Sequence, residues 1–235
     1  MSETTQTVNL SRHQPLSVIA LVVGAPLLLA AVELFHPHPH DPLDLDVQTW
    51  LAVHYAQIPL FPLSALAVVA LVRGRAGLAA MLCRVAMFVF AISYTTFDTA
   101  AGVVTGILVK AAHKSGTPDA WRASIDAVWR HPIMGGSPLI PAPFLAVFGS
   151  VALSVGTAAA AVSLKRAGRS WAPVVLLALA GFGIGIFRTH AWPGGPLTFG
   201  GLAVAGGWLL WDAPNEEHIA LTGRRAEKDR NKPNV

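Results

Sequence analysis

A succession of long apolar runs constrains the fold of this chain more than any other sequence feature. Hydrophobic residues make up 53% of its 235 residues and charged residues only 13%, whereas soluble domains carry about 25% charged residues. A helix of about 20 apolar residues crosses the hydrocarbon core of a bilayer. We predict six spans, at about 16–35, 47–72, 78–112, 139–164, 172–187 and 197–211. Because a backbone in lipid must satisfy its own hydrogen bonds, the pattern predicts an all-α integral membrane protein, a bundle of six transmembrane helices.

Basic residues are distributed unevenly over the connections between these runs. Six spans place both termini on the same side of the membrane, and cytoplasmic termini put 12 of the 17 Lys and Arg residues on the inner side. Short cytoplasmic loops are typically enriched in Lys and Arg. We therefore predict a multi-pass protein of the plasma (inner) membrane. It has a cytoplasmic segment at 1–14, a transmembrane domain at 15–212 and a polar cytoplasmic tail at 213–235 that we expect to be mobile.

The composition indicates the lipid bilayer as a partner and predicts no nucleic-acid partner. The net charge of +4 arises from the short loops and the tail, where it is explained by membrane topology. The single cysteine, Cys83, excludes an intramolecular disulfide bond and a CxxC metal site. The polar N-terminal segment lacks the basic region and the short apolar region of a cleaved signal peptide, so we expect the first run to be retained as an anchor.

The most polar stretch, His36–Asp46, lies between the first two runs and is followed shortly by His54. Pro37 and Pro39 favour an extended path, on which alternate histidine side chains point the same way. Imidazole and carboxylate groups bind divalent transition metals such as Zn²⁺, Cu²⁺, Ni²⁺ and Fe²⁺. The stretch predicts a metal site whose candidate ligands are His36, His38, His40, Asp41 and His54. The alternative is a solvated, proline-stiffened loop whose histidines titrate freely.

A carboxylate inside the third run, Asp98, is a second candidate functional group. It falls in the outer half of the bilayer, where an unpaired charge is costly and acidic residues commonly serve a function. Tyr94 precedes it by four residues and shares its helix face. We predict an outward-facing polar cavity lined by Glu33, Tyr94, Asp98, Arg188 and His190. In the alternative, Asp98 and Arg188 form a single ion pair that pins two helices together.

Two further features predict packing surfaces. Residues 117–130 have the pattern of an amphipathic helix with Thr117 as its N-cap, and we expect this helix to lie on the outer membrane surface. Its apolar stripe consists of Trp121, Ile125 and Trp129. Glycines spaced by four residues allow close helix contacts. The pairs Gly102 with Gly106 and Gly181 with Gly185 predict contact faces, for another helix, a second copy of the chain or a partner membrane subunit.

These features support more than one class of function. The leading hypothesis is a polytopic membrane protein whose outward-facing, His-rich site binds a transition metal or a small polar substrate, as a transporter or a membrane-embedded enzyme. In the enzyme, Asp98 or Glu33 acts as general base, with His190 or a histidine-bound metal as electrophile. A haem held by His54 and His190 ranks lower, because both lie near helix ends. The alternatives are a non-catalytic accessory or assembly subunit and a pH sensor that uses the outer histidines.

Overall fold

The computed structural model describes residues 14–137 and 143–212, which are helical over most of their length. The helices are α1 (Leu16–Glu33), α2 (Val47–Leu71), α3 (Leu78–Ser115), α4 (Arg122–Trp129), α5 (Phe144–Arg166), α6 (Trp171–Phe187) and α7 (Gly194–Trp211). No β-strand occurs in these residues, so the all-α prediction is confirmed for them. By length and composition, α1, α2, α3 and α5 are able to cross a membrane, and α6 is a shorter apolar helix.

Parts of three predicted features lie outside the described residues. These are the N-terminal segment up to residue 13, the start of the predicted fourth span at 138–142 and the polar tail at 213–235. The count of six spans and the cytoplasmic position of the termini therefore stay predictions.

Local sequence signals set the ends of α2 and α3. The Asp46 carboxylate accepts hydrogen bonds from the backbone N–H groups of Gln48 at 3.2 Å and Thr49 at 3.4 Å, as expected of an N-cap. Helix α3 ends because Gly116 adopts a left-handed conformation with φ of 72°, which glycine reaches without steric cost. The sequence therefore defines both boundaries through single residues.

Three helices depart from regular α-helical geometry. In α1, a π-helical turn at Ala20–Gly24 precedes Pro26, which has no N–H group to donate to the preceding turn. In α3, a longer π-helical turn spans Asp98–Val104. Helix α6 is interrupted between Ala180 and Gly183. Because π-helical turns recur at functional sites, the turn that begins at Asp98 directs attention to this carboxylate.

The six longer helices close into a ring around an aromatic core. Each of α1, α2, α3, α5, α6 and α7 packs on the next, and α7 packs back on α1. Phe61 of α2, Phe90 of α3 and Phe199 of α7 meet at the centre, with ring centroids 6.0 to 6.5 Å apart. Helix α2 packs on α3 and α6 on α7 across short connections, as expected of antiparallel hairpins.

One end of the bundle, which we call the basic end, carries the loops 73–77 and 165–169. Arg169 Nη1 donates to the backbone carbonyl of Asp212 at 2.8 Å, which joins the second loop to the end of α7. The two loops are close enough for Arg75 to repel Arg169. The cations of this end are Arg73, Arg75, Arg84, Lys165, Arg166 and Arg169.

The opposite end, which we call the polar end, comprises the linker 34–46, the segment 116–137 and the loop 188–193. Arg122, the first residue of α4, donates to Asp41 Oδ2 at 2.8 Å and thereby ties α4 to the linker. These connections cover the ends of α1, α2 and α3, where the buried polar residues lie.

The predicted surface helix is shorter than expected and partly buried. Thr117 makes no side-chain cap, and Pro118–Trp121 form a 3₁₀ turn before α4 begins. Ile125 and Trp129 are buried, and the Trp129 ring lies 5.9 Å from the ring of Trp50 on α2. The apolar stripe therefore packs against the protein, and a position on the membrane surface stays a prediction.

The first predicted glycine pair forms a contact between helices of the chain itself. A Cβ atom on Gly102 would overlap the His54 ring, and one on Gly106 would lie 2.7 Å from the Trp50 side chain. The contact-face prediction is therefore correct for this pair, whose partner is α2.

The second glycine pair is used only in part. Gly181 packs directly against the Thr157 side chain of α5, whereas a Cβ on Gly185 would meet no atom of the described residues within 4 Å. The prediction of a continuous contact face at Gly181 and Gly185 therefore holds for Gly181 alone.

Candidate functional site at the polar end

Polar side chains are concentrated in the interior of the polar end. Glu33, Gln57 and Asp98 are at most 1% exposed, and His54 is 2% exposed. Burial of ionisable groups is costly unless they are paired, and such groups concentrate at functional sites. The residues that meet here come from α1, α2, α3, the linker and the loop 188–193. We call them the polar cluster, which consists of Glu33, His36, His54, Gln57, Asp98 and His190.

Glu33, Gln57 and His190 form one half of the polar cluster. Gln57 Nε2 donates to Glu33 Oε1 at 2.9 Å, and His190 Nδ1 lies 3.2 Å from Glu33 Oε2. His190 Nδ1 is also 3.4 Å from Gln57 Nε2. Gly195 permits this approach, because a Cβ there would overlap the His190 carbonyl and lie 2.9 Å from Glu33 Cγ. The structure thus brings together Glu33 and His190, two of the predicted cavity residues.

His54 and Asp98 form the other half. His54 Nδ1 donates to the Trp50 carbonyl at 2.7 Å, so that the lone pair of Nε2 in a neutral imidazole faces Asp98. Nε2 and Asp98 Oδ1 are 3.7 Å apart, which is too long for a hydrogen bond. Neither Asp98 oxygen has a hydrogen-bond partner among the described residues. Because a lone pair and a carboxylate repel each other, the pair requires one proton or another positive charge.

His36 connects the two halves. Its ring centroid lies 4.9 Å from that of His54 and 4.7 Å from that of His190. His36 Nδ1 donates to the Pro37 carbonyl at 2.8 Å, whereas the buried Nε2 has no partner within the described chain. Burial, with repulsion from His190, lowers the pKa of His36 well below its usual value. His36 is therefore neutral at physiological pH and presents a lone pair to the polar cluster.

Aromatic rings form the walls of the polar cluster. The ring centroids of Tyr94 and Phe97 lie 6.1 Å and 5.8 Å from that of His190, and the Trp50 ring lies 4.2 Å from that of His54, tilted by 36°. The Tyr94 hydroxyl donates to Ser150 Oγ on α5 at 2.8 Å. Tyr94 therefore contributes a ring face to the predicted cavity, while its hydroxyl group is bonded elsewhere.

Arg188, a predicted cavity residue, lies apart from the polar cluster. It is exposed, and its left-handed φ of 56° ends α6. No ion pair of Arg188 occurs in the described part of the chain, and His54 is the basic group nearest to Asp98. The alternative Asp98–Arg188 pair is thus replaced by an Asp98–His54 contact, because the Asp98 side chain faces α2.

The candidate metal ligands are divided between two environments. His36 and His54 belong to the polar cluster, whereas His38 and His40 are exposed. Asp41 binds Arg122 instead, and the Leu43 N–H group and Arg122 lower the pKa of its carboxyl group. Within residues 14–137 and 143–212, no three His, Cys, Asp or Glu side chains are arranged to hold a metal ion. The metal site therefore stays a prediction.

The structure does not favour the haem alternative. His36 lies within 5 Å of both His54 and His190, ring centroid to ring centroid, and so fills the space between the two proposed axial ligands. His54 Nδ1 is also bonded to the Trp50 carbonyl.

Gln57 is a site residue that the sequence analysis missed. It supplies the hydrogen bond to Glu33 and lies one turn from His54 on the same face of α2. The spacing of Trp50, His54, Gln57 and Phe61, four buried residues three or four apart, is the signal that identifies this face.

Comparisons with known proteins give no match for this chain, either to a family model, to a curated protein or to a solved structure. Its function therefore has to be inferred from the chemistry of the polar cluster.

Proposed function

We propose that this chain is a membrane-embedded protein whose polar cluster binds a small cationic or hydrogen-bond-donating substrate, as a transporter or a membrane-embedded enzyme. One observation carries the proposal. The buried atoms of the polar cluster that lack a hydrogen-bond partner in the described chain are all acceptors. They are His36 Nε2, Gln57 Oε1, Asp98 Oδ1 and Asp98 Oδ2.

The energetic cost of these acceptors supports a donor or a cation as the ligand. Each buried acceptor without a partner costs about 1–3 kcal/mol, and more when it is charged. A second acceptor cannot relieve that cost, whereas an N–H group, a metal ion or a proton can. The rings of Trp50, Tyr94 and Phe97 add faces that attract cations.

The proposed topology has six spans in the plasma (inner) membrane, with both termini cytoplasmic. The closed ring of helices supports this topology, and so does the concentration of Arg and Lys at one end of it. With the basic end inside, the polar end faces the outer side. The polar cluster then lies near the outer membrane surface, beneath the connections of the polar end.

Proton transfer fits the chemistry of this ligand class. When a monovalent cation binds at Asp98, the one proton that the His54–Asp98 pair requires becomes superfluous and leaves the pair. His36 lies beside His54, and the exposed His38 lies 5.8 Å from His36, so a route of imidazoles leads from the pair to water. In the enzyme version, Asp98 or Glu33 accepts a proton from the substrate and His190 polarises it.

The test is a titration of tag-free, detergent-purified protein with small cations. Ammonium and methylammonium carry N–H donors, tetramethylammonium carries none, and Zn²⁺, Cu²⁺, Ni²⁺ and Fe²⁺ test the metal prediction. We expect at least one donor or metal cation to bind saturably and to raise the free energy of unfolding by about 2.7 kcal/mol at 100 times its Kd. Tetramethylammonium, which cannot donate a hydrogen bond to the acceptors, should stabilise the protein less than ammonium and methylammonium do.

Two matched variants locate the binding. Asp98→Asn should abolish the stabilisation by the cation, whereas Asp126→Asn, which changes a carboxylate paired with Arg130 on α4, should retain it. The proposal would be contradicted if no cation bound to the parent protein, or if Asp98→Asn bound the cation as tightly as the parent. Co-purification with a larger membrane complex and no bound cation would support the accessory-subunit alternative instead.

A further inference from the structure

The basic end carries a surface groove between α5 and α6. Its volume is about 330 Å³, and its floor and walls are the apolar side chains of Ala158, Ala161, Val162, Val174, Val175 and Ala178. Lys165, Arg166 and Trp171 lie at its mouth. We propose that this groove binds one acyl chain of an anionic phospholipid, whose phosphate group is held by Lys165 and Arg166. This inference rests on the membrane embedding in the proposed function and is independent of the polar cluster.

The charge balance of the basic end favours an anionic ligand. Six cations lie there, and Asp212 is the one acidic residue of this end within residues 14–137 and 143–212. Arg169 bonds the backbone carbonyl of Asp212 and is attracted by its carboxylate, and no ion pair of Lys165 or Arg166 occurs among the described residues. Burial, with repulsion from Arg75, lowers the pKa of the Arg169 guanidinium, as expected where positive charges are crowded.

The mouth of the groove has the composition of a headgroup site. The Lys165 ammonium group lies 4.4 Å from the centroid of the Trp171 ring and donates to the Arg169 carbonyl at 3.1 Å. These contacts hold Lys165 at the mouth of the groove, beside the exposed Arg166. Trp171 is 65% exposed at the first position of α6, and tryptophan is enriched at the depth of lipid headgroups.

A second groove, at the polar end, provides an internal contrast. It has a volume of about 440 Å³, lies between α1 and α2, and is lined by apolar residues such as Val32 and Phe35. Its polar lining residues are Asp46, Gln48 and Thr49, so its charged group is an anion. Both grooves accommodate an acyl chain, but only the groove between α5 and α6 is expected to select an anionic headgroup.

The experiment is native mass spectrometry of the full-length protein, with phosphatidylglycerol and phosphatidylcholine of identical acyl chains as probes. A cation near an anionic lipid contributes about fivefold in affinity, so Lys165 and Arg166 together should favour phosphatidylglycerol by about 25-fold. The double variant Lys165→Gln/Arg166→Gln should lose that preference. The double variant Arg73→Gln/Arg75→Gln, which removes the same two charges away from the groove, should retain most of it.

A third variant tests the groove itself. Ala178→Phe fills it and should reduce the retention of phosphatidylglycerol at least fivefold, whereas Ala52→Phe in the groove of the polar end should not. Equal retention of the two lipids by the parent, or an unchanged preference in the double variant, would overturn the inference. Displacement of phosphatidylglycerol by inorganic phosphate would also overturn it, because it would identify a site for simple anions.

Extraction of cell membranes with alkaline carbonate distinguishes a failure of the lipid inference from a failure of the membrane embedding on which it rests. A protein that stays in the membrane but shows no lipid preference contradicts this inference alone. A protein released by carbonate contradicts the membrane embedding and hence the proposed function as well.

Discussion

The two ends of the bundle carry opposite kinds of polar group, and they carry them in opposite surroundings. In the polar cluster the buried atoms without partners in the described chain are acceptors, such as His36 Nε2 and the Asp98 oxygens. At the basic end, by contrast, cations such as Arg73 and Arg166 are exposed. Water satisfies an exposed guanidinium group at little cost, whereas a buried carboxylate has no such substitute. This difference in burial is the reason why the proposed small ligand is assigned to the polar cluster, and the proposed anionic lipid to the exposed surface of the basic end.

An aromatic layer separates the two ends. Phe61 lies one turn beyond Gln57 on α2, and its ring contacts those of Phe90 and Phe199. The Phe61 ring also lies 6.2 Å from that of His190, so this layer forms the floor of the polar cluster. A transporter would have to open this floor, whereas a membrane-embedded enzyme would keep it closed during its reaction.

The largest expected effect concerns the protonation of His190. Burial, with a smaller contribution from His38, lowers the pKa of His190 from 6.5 to about 4. Between pH 4 and pH 6.5 the His190 side chain should stay neutral, because its charged form would be buried without hydrating water. Nuclear magnetic resonance of ¹⁵N-histidine-labelled protein, assigned with His190→Asn, should show a midpoint near 4. A midpoint at or above 6.5 would mean that the polar end is as hydrated as the basic end.

The next effect concerns the close contact of α2 and α3. Gly102→Ala should destabilise the protein by about 1–3 kcal/mol, because the new methyl group overlaps the His54 ring. Thermal unfolding measures the loss, and combination with His54→Ala should recover part of it. Gly24→Ala is the matched control, since its Cβ would meet no atom of the described residues within 4 Å. If Gly102→Ala changed the stability as little as Gly24→Ala does, the His54 ring would not be fixed against α3.

A smaller effect concerns the ion pair between Asp41 of the linker and Arg122 at the start of α4. Arg122→Gln removes a partly exposed ion pair with Asp41 and should destabilise the protein only slightly, because water screens exposed charges. Hydrogen exchange of the Leu43 amide, which donates to Asp41 Oδ1 at 2.9 Å, reports the loss. Arg130→Gln, which removes a similar pair with Asp126, should leave this amide unchanged.

The same tie has a predictable dependence on pH. The pKa of Asp41 in the folded protein lies below its usual value of 3.8, so its contribution is complete above that value. The stabilisation by the Asp41 carboxylate should be lost as the pH falls through this lowered pKa. Protection of the Leu43 amide that increases under acid would contradict the assigned role of Asp41.

The sequence predicts the helices more completely than the contacts between them. The lengths of the apolar runs and the cap at Asp46 follow from local rules, and the structure agrees with them. The partner of Asp98 could not be predicted in this way. The π-helical turn that begins at Asp98 changes the residue spacing along α3, so extrapolation of a regular helix beyond this point fails.

Site residues far apart in sequence were predicted unevenly for the same reason. Glu33 and His190, 157 positions apart, were both predicted to line the cavity because they lie at the same end of their spans, and they are in contact at 3.2 Å. Arg188, only two residues from His190, was not, since its left-handed backbone turns the chain at the end of α6. Positions along a span can be read from the sequence, but side-chain direction at an irregular turn cannot.

The most direct test of the central claim is the stability of Asp98→Asn relative to the parent, with Asp126→Asn as the control. If Asp98 is an acceptor without a donor, the new amide donates to His54 Nε2 and the free energy of unfolding is unchanged or rises by about 1 kcal/mol. If Asp98 and His54 instead form a structural ion pair, the substitution leaves a buried charge unpaired. A loss of about 3–5 kcal/mol would then result and would contradict a polar cluster arranged for a cation.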